Sequence, residues 1–359
     1  MTAENSTSSD SSGSRNSNDS IDSTGATGAS DSSPTWGIEL TPEHPPDRIS
    51  DLAALAETEG FDVAFSSSHY FNRDPFVTLS RMAERTDSIA LGPGVVNPFQ
   101  DHPVTLAARM ATIDEVSGGR GVYGIGAGDR SALSNLGFEH DRPLRRVLEA
   151  FSVARDLWAG ETVTHDGTFT AQDASLNLEP AEIPVYVGAQ GPHMLRMSAK
   201  HADGVLVNAS HPRDLEWAAD QLELGLADRP DDRGPFEALA FSSVSVADEE
   251  AAAREAARPP VAFIAGGAAP PVIERHGLDE GAVETVGRHL EAGDLSAAFE
   301  AVTPAMIDAF AVAGTPETVA DRFEAILEFV DGVVVGSPLG PDLEVAVEQA
   351  ARGLEQAQE

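Results

Sequence analysis

From Trp36 onward the chain alternates between short apolar runs and stretches whose apolar residues recur every three or four positions. Trp36–Leu40 predicts a first strand. Asp47–Gly60 predicts a helix, with Ile49, Leu52, Ala53 and Ala56 on one face and Gly60 as its stop. The rhythm then repeats. Further strands are predicted at 61–67, 89–95, 121–125, 184–188, 204–208, 238–246 and 332–335. Helices are predicted at 76–85, 103–116, 144–158, 315–329 and 343–354, with others ending at His201 and starting at Pro212 and Asp248. Two segments break the rhythm. Strand-like pieces around Asp166-Gly167 predict a hairpin insertion over about 162–178, and about 260–312 reads as an inserted helical region. Eight strands alternating with helices predict an α/β chain folded as a (β/α)8 TIM barrel with insertions. The rival is an open doubly wound sheet, which rarely repeats its unit so evenly.

The first 33 residues break from this pattern. They are Ser, Asp, Asn, Gly and Thr with almost nothing to bury, so 1–33 is expected to be a disordered, acidic, Ser-rich tail. Residues 34–359 are expected to form the barrel domain.

Charge adds a second constraint. The formal net charge is −36 at pH 7, and Lys200 is the only lysine. Carboxylates repel phosphates, so non-specific nucleic-acid binding is excluded. The acids are spread through segments with clear apolar periodicity, which points to a folded protein with a hydrated acidic surface. Such a surface suits a salt-rich, halophilic cytoplasm, where ions screen the self-repulsion. There is no cysteine, hence neither a disulfide framework nor a thiolate metal site. No apolar run reaches transmembrane length, and the N-terminus is neither basic nor apolar, so a cytoplasmic protein without membrane contact is expected.

In a barrel, polar residues at the C-terminal strand ends are the candidates for chemistry. Here they are Glu39; Ser67, Ser68 and His69; Asn97; Gly126 and Asp129; Gln190; and Asn208. Any one fits a helix cap or a turn, but the whole set recurs at one end of successive strands. Gly-Pro-Gly-Val-Val-Asn-Pro at 92–98 is rich in residues with special backbone freedom. Gly-Ile-Gly-Ala-Gly-Asp at 124–129 is not a Rossmann fingerprint, because the third glycine would fall at Asp129. Gly188-Ala189-Gln190-Gly191-Pro192 joins a strand to a helix, and free N–H groups there can hold an anion; an ordinary connection fits equally. A metal centre is not expected, since no His-Glu-x-x-His occurs and the histidines are scattered. No Gly-x-Ser-x-Gly elbow marks a hydrolase.

Taken in order, these motifs resemble a known family. Trp36-Gly37-Ile38-Glu39, His69-Tyr70 with Asn72-Arg73, and Leu91-Gly92-Pro93-Gly94-Val95 with Asn97-Pro98 come first. Ser117-Gly118-Gly119-Arg120, Gly124-Ile125-Gly126, Gly188-Ala189-Gln190-Gly191-Pro192, Ala202-Asp203-Gly204-Val205 and Gly314-Thr315-Pro316-Glu317 follow. Over about residues 35–340 this pattern is similar to the coenzyme F420-dependent methylenetetrahydromethanopterin reductases, a branch of the luciferase-like superfamily.

The resemblance implies a deazaflavin at the C-terminal mouth of the barrel, with FMN as the alternative coenzyme. It implies a non-prolyl cis peptide in the Gly94–Val95 region. It places Ser67, Ser68, His69, Gly94, Val95, Asn97, Gly126, Gly188, Ala189, Gln190 and Gly191 around the coenzyme, and makes Glu39 the catalytic acid. The competing role for Glu39 is pairing with Arg73 or capping a loop. Direct hydride transfer to a methylene-tetrahydropterin is implied, the carrier being tetrahydromethanopterin or tetrahydrofolate. A homo-oligomer, dimer or tetramer, is implied as well. The family usually carries Asp where this chain has Ser68. Two alternatives stay open: a flavin- or F420-dependent oxidoreductase or monooxygenase acting on another substrate, and a non-catalytic flavin-binding relative.

Overall fold

Valine, isoleucine, leucine and phenylalanine crowd the short apolar runs, and a run that is apolar throughout suits a strand covered on both faces. The computed structural model, which describes residues 33–180 and 182–358, forms eleven strands, all but two of them lying in one parallel sheet. They are β1 (Thr35–Glu39), β2 (Val63–Ser66), β3 (Ala90–Pro93), β4 (Tyr123–Gly126), β5 (Val163–Asp166) and β6 (Thr170–Ala174). β7 (Val185–Ala189), β8 (Gly204–Asn208), β9 (Glu237–Val246), β10 (Val312–Gly314) and β11 (Gly332–Leu339) complete the set.

The ladder runs β3-β2-β1-β11-β9-β8-β7-β4, with every pair parallel. Parallel bridges from Leu91 to Gly121 and from Val96 to Ile125 join β3 to β4 and close the ring. The result is the eight-stranded parallel barrel expected from the alternation. β10 extends β9, and β5 with β6 forms a separate antiparallel hairpin.

Alternation along each strand sorts side chains into two sets. Ile38, Ala64, Leu91, Ile125, Val187 and Val205 turn outward into the large core shared with the helices. Val63, Phe65, Val122, Leu206, Leu239 and Val334 turn inward as a second, smaller cluster. The barrel interior is therefore packed, as in other barrels of this size. At its N-terminal end Glu237 accepts hydrogen bonds from the hydroxyls of Thr35 and Tyr186, which gives a polar plug. Arg120 fastens the same region from outside, donating to Ser117 O at 2.7 Å and Thr86 O at 2.9 Å.

Helices start where proline and a short polar residue meet. Asp74 caps Pro75–Ala83, accepting from Phe76 N at 2.9 Å, and Thr315 caps Pro316–Leu327. Between β9 and β10 a run of short helices from Glu250 to Phe310 builds its own apolar cluster around Val261, Val286, Met306 and Phe310.

Three features differ from the sequence reading. A helix at Arg130–Asn135 was not expected; it has six residues, too few for periodicity, and exists because Asp129 caps it at Ala132 N, 2.7 Å. β10 has only three residues and forms by pairing with the overhang of β9. β11 runs on to Leu339 through Gly-Ser-Pro, with a register shift after Gly336 and a cis Ser337–Pro338 bond. The expected tail, 1–33, lies outside the described residues except for Ser33.

Candidate active site

The inward register decides which strand-end residues meet. Glu39 lies two positions beyond Gly37, whose missing side chain leaves room for Val334 and Val63 of the inner cluster. Ser67 follows Phe65 at the same spacing, Gly188 follows Tyr186, and Asn208 follows Leu206. Gly126 lies four beyond Val122. A spacing of two keeps the same face, so Glu39, Ser67, Gly126, Gly188 and Asn208 all face the C-terminal mouth.

Glu39 is only 3% exposed. Its Oε1 accepts from the Thr41 hydroxyl at 2.7 Å, and its Oε2 accepts from the Ser337 N–H at 3.0 Å. The pairing with Arg73 does not occur. Arg73 donates to the carbonyls of Pro42 and Glu43 instead, and no cation among the described residues pairs with Glu39. Two donors orient this carboxyl and none neutralises it. Neither Thr41 nor Ser337 was singled out from the sequence; Thr41 is local, but Ser337 arrives from the far end of the chain.

On the neighbouring strand two successive hydroxyls lack partners. The side-chain oxygens of Ser66 and Ser67 are buried and make no hydrogen bond. An unpaired buried hydroxyl is costly, and at the mouth a bound ligand is a natural partner for it. Ser67 was expected here. Ser66, one position earlier, turns with Ala64 to the outer face of the barrel.

The floor of the mouth is glycine and aromatic. The peptide between Gly94 and Val95 is cis, at the position expected. A Cβ on Gly94 would lie 2.8 Å from Phe65 Cβ and 3.3 Å from Phe241 Cε2, and these two rings stand 6.3 Å apart. Val95 is seated against β4 and β7: a Cβ on Gly126 would come 2.6 Å from Val95 Cγ2, and one on Gly188 would come 3.1 Å from it. The glycines of the two motifs thus serve one purpose, making space for Val95 and leaving backbone open to a flat ring.

Other expected residues take lesser places. Asn97 is committed to its own turn: its Oδ1 accepts from Phe99 N and Gln100 N, and its Nδ2 donates to Gln100 at 2.6 Å. Ala189 turns its methyl outward into the main core, so only its backbone faces the loop. Gln190 is exposed and reaches Asn208 O at 3.4 Å. Gly191 precedes the helix Pro192–His201, whose first turn has neither a side-chain cap nor an acid. Met194 and Leu195 donate to Gly191 O, which leaves the N–H groups of Gly191 and His193 available to an anion. Ser68 is half-buried, and exposed His69 stacks on Phe71 at 5.2 Å. Asp129 is a helix cap.

The residues present fit a flat, anionic coenzyme. The unpaired Ser67 hydroxyl borders the floor, side chains are absent at Gly94, Gly126 and Gly188, and the N–H groups of Gly191 and His193 stand at the start of the helix Pro192–His201. Among the described residues no group of three or more His, Asp or Glu side chains is placed to hold a metal ion.

Comparison with known proteins places the chain in a family. The model of the luciferase-like monooxygenase family matches residues 25–331. The 5,10-methylenetetrahydromethanopterin reductase of Archaeoglobus fulgidus is 42% identical over 319 residues, covering 87% of this chain and 96% of that protein. The enzyme of the same name from Methanopyrus kandleri is 36% identical over 333 residues, covering 88% and 95%. The solved structure of the coenzyme F420 dependent tetrahydromethanopterin reductase from M. kandleri aligns with a TM-score of 0.83 at 35% identity, covering 89% of this chain and 98% of that one. An F420-dependent secondary alcohol dehydrogenase aligns at 0.73 with 17% identity, covering 91% and 100%, which is a likeness of fold alone.

Proposed function

From the premise that this chain belongs to the luciferase-like monooxygenase family, we infer that it is a coenzyme F420-dependent reductase of a methylene-tetrahydropterin, forming the methyl compound. The observation that carries the reading is the buried, cation-free carboxyl of Glu39 facing a glycine-floored mouth.

When bound, coenzyme F420 supplies the hydride. In the overall reaction the bridging carbon gains that hydride, one carbon–nitrogen bond breaks, and the freed nitrogen takes a proton. The chain must hold two rings face to face, exclude water and deliver the proton. We assign the ring's floor to Gly94, Val95, Gly126 and Gly188, and hydrogen bonds to its edge to Ser67 and the neighbouring Ser68 and His69. The backbone of 188–191 would hold the coenzyme's anionic part, with Asn97 keeping the 97–100 turn in shape. Glu39 would carry the proton; Thr41 and Ser337 fix the carboxyl so that it faces the mouth. A proton donor must lie within hydrogen-bond reach of its acceptor, and the position of Glu39 at the inward end of β1 supports that role.

Three finer assignments belong to the same reading. Tetrahydromethanopterin is the carrier, supported by the names of the similar reductases. The chain forms a homo-oligomer, supported by apolar Val77 and Val116, 57% and 50% exposed on neighbouring helices. It works in a salt-rich cytoplasm, supported by its acidic charge. Among the described residues no helix is long and apolar enough to cross a membrane.

The test is anaerobic stopped-flow mixing in molar salt. The protein with reduced coenzyme F420 meets methylene-tetrahydromethanopterin in one run and methylene-tetrahydrofolate in another. Growth of the oxidised coenzyme's absorbance with either carrier is the expected result. No oxidation with either, while the protein still binds the coenzyme, overturns the assignment.

A further inference from the structure

One cationic feature beside the mouth is not used by the chemistry above. β8 ends at Asn208, and Ser210 and His211 follow before the helix Pro212–Leu226. Arg322, from the helix Pro316–Leu327, reaches this loop. Its Nη1 donates to the carbonyl of Ser210 at 3.5 Å and to that of Asp308 at 3.4 Å. Both contacts are at the long limit for a hydrogen bond.

No acid among the described residues forms an ion pair with Arg322. Asp308 is the acid that acts on it, and the Asp308 carboxylate is committed to Arg254 at 2.7 Å. Arg120 and Arg229, half-buried and also without a carboxylate, are each held by several short bonds to carbonyls, whereas Arg322 has only these two long contacts. Arg155, also part-buried, is held by a carboxylate, Asp203 at 2.6 Å. Burial lowers the pKa of Arg322 from its ordinary value, yet the group stays charged, and a desolvated charge gains strongly from a counter-ion.

His211 lies next to it. Its Nδ1 accepts from the Arg213 N–H at 3.1 Å, so the neutral ring carries its hydrogen on Nε2. Burial, then the charges of Arg322 and His276, hold the ring down at about 4, so it is neutral at pH 7 and Nε2–H is a donor. The other groups packed here are satisfied among themselves. His276 stands edge-on to His211 at 4.9 Å and binds Asp214 at 2.7 Å, and Arg275 binds the same carboxylate. The cluster thus presents the His211 Nε2–H beside an arginine fork held only by two long carbonyl contacts.

We propose that Arg322 and His211 form an anion subsite on the rim of the mouth, for a phosphate or carboxylate on the tail of a bound ligand. The proposal rests on the reductase reading, under which both the pterin carrier and the deazaflavin bear such groups. An arginine fork is the side chain best matched to either anion, and a neutral imidazole N–H adds a hydrogen bond without repelling it.

The test uses the full chain in molar salt, with Arg322→Gln and Arg322→Lys, and has two arms. The first compares KM for the tailed methylene pterin with that for a tail-free methylene-tetrahydropterin. The second compares, by fluorescence quenching, the Kd of oxidised coenzyme F420 with that of the deazaflavin riboside lacking phosphate and tail. Arg322→Gln is expected to weaken one tailed ligand about tenfold, the size of a lost charge-assisted bond, and its tail-free counterpart far less. Arg322→Lys should recover part of the loss. The arm that moves identifies the ligand. Equal weakening of tailed and tail-free forms, or no weakening in either arm, overturns the subsite. Wild-type turnover keeps the two ideas apart: a wild type inactive with every pterin refutes the reductase reading, and the coenzyme arm, which needs no turnover, still reads the subsite.

Discussion

At the scale of single residues, Glu39 is placed by register and by two hydrogen bonds. A lone acid at the end of the first strand was legible in the sequence, because barrels put chemistry there. Its setting was not, since Ser337 lies 298 positions away in sequence. Replacing Glu39 by Gln keeps the shape and removes the proton. The expected outcome is a fall in kcat of about 100-fold or more with coenzyme affinity retained, measured by single-turnover stopped-flow. A variant that transfers hydride at the wild-type rate would remove Glu39 from the chemistry. The glycines carry a different kind of information. Gly126 was legible as a candidate, but its reason, the 2.6 Å approach of a Cβ to Val95, needed the fold. Gly126→Ala should push Val95 into the mouth, lowering stability by about 1–3 kcal/mol and weakening coenzyme binding. Calorimetry and fluorescence quenching read both, and an alanine variant with native melting temperature and native Kd would contradict this packing. Asn97 marks the limit of motif reading. Its side chain closes a turn, a role that residue type alone cannot separate from ligand binding.

At the scale of elements, apolar runs and helical periodicity were enough to locate the barrel strands and most helices. Short elements escaped because they depend on partners: β10 needs β9, and Arg130–Asn135 needs its Asp129 cap. The hairpin of β5 and β6 is fastened to the barrel by Glu149. Burial alone would raise that carboxyl's pKa, but hydrogen bonds from the Thr168 N–H and hydroxyl, both at 2.7 Å, and from Arg145 and His165 bring it down to about 2. A depressed carboxylate pKa contributes stability that is complete above its ordinary value of 4.5 and disappears as pH falls toward about 2. Glu149→Gln should therefore be less stable than wild type at pH 7, with the gap narrowing across that window. Urea midpoints at neutral and acid pH measure it, and a gap of constant size would show that the ionised form of Glu149 contributes nothing.

At the scale of the whole molecule, the alternation of eight strands with helices made the barrel legible, while the order of closure, through bridges between β3 and β4, was visible only in the fold. The net charge of −36 was legible at once and belongs to no single element. Charges on such a surface repel across about 10 Å at 0.1 M salt but only about 3 Å at 1 M. The melting temperature should therefore climb steeply between those concentrations of KCl, and a flat or falling curve would contradict the salt-adapted reading. Glu39 and the mouth residues from seven other strands come together only when the ring is closed, so function is a property of this scale too. The central claim, direct hydride transfer to a pterin held in that mouth, is tested most directly with coenzyme F420 reduced so that its hydride-donating carbon carries deuterium. After one anaerobic turnover with methylene-tetrahydromethanopterin in ordinary water, mass spectrometry of the product should find a single deuterium in the new methyl group. A methyl group without deuterium would contradict direct transfer.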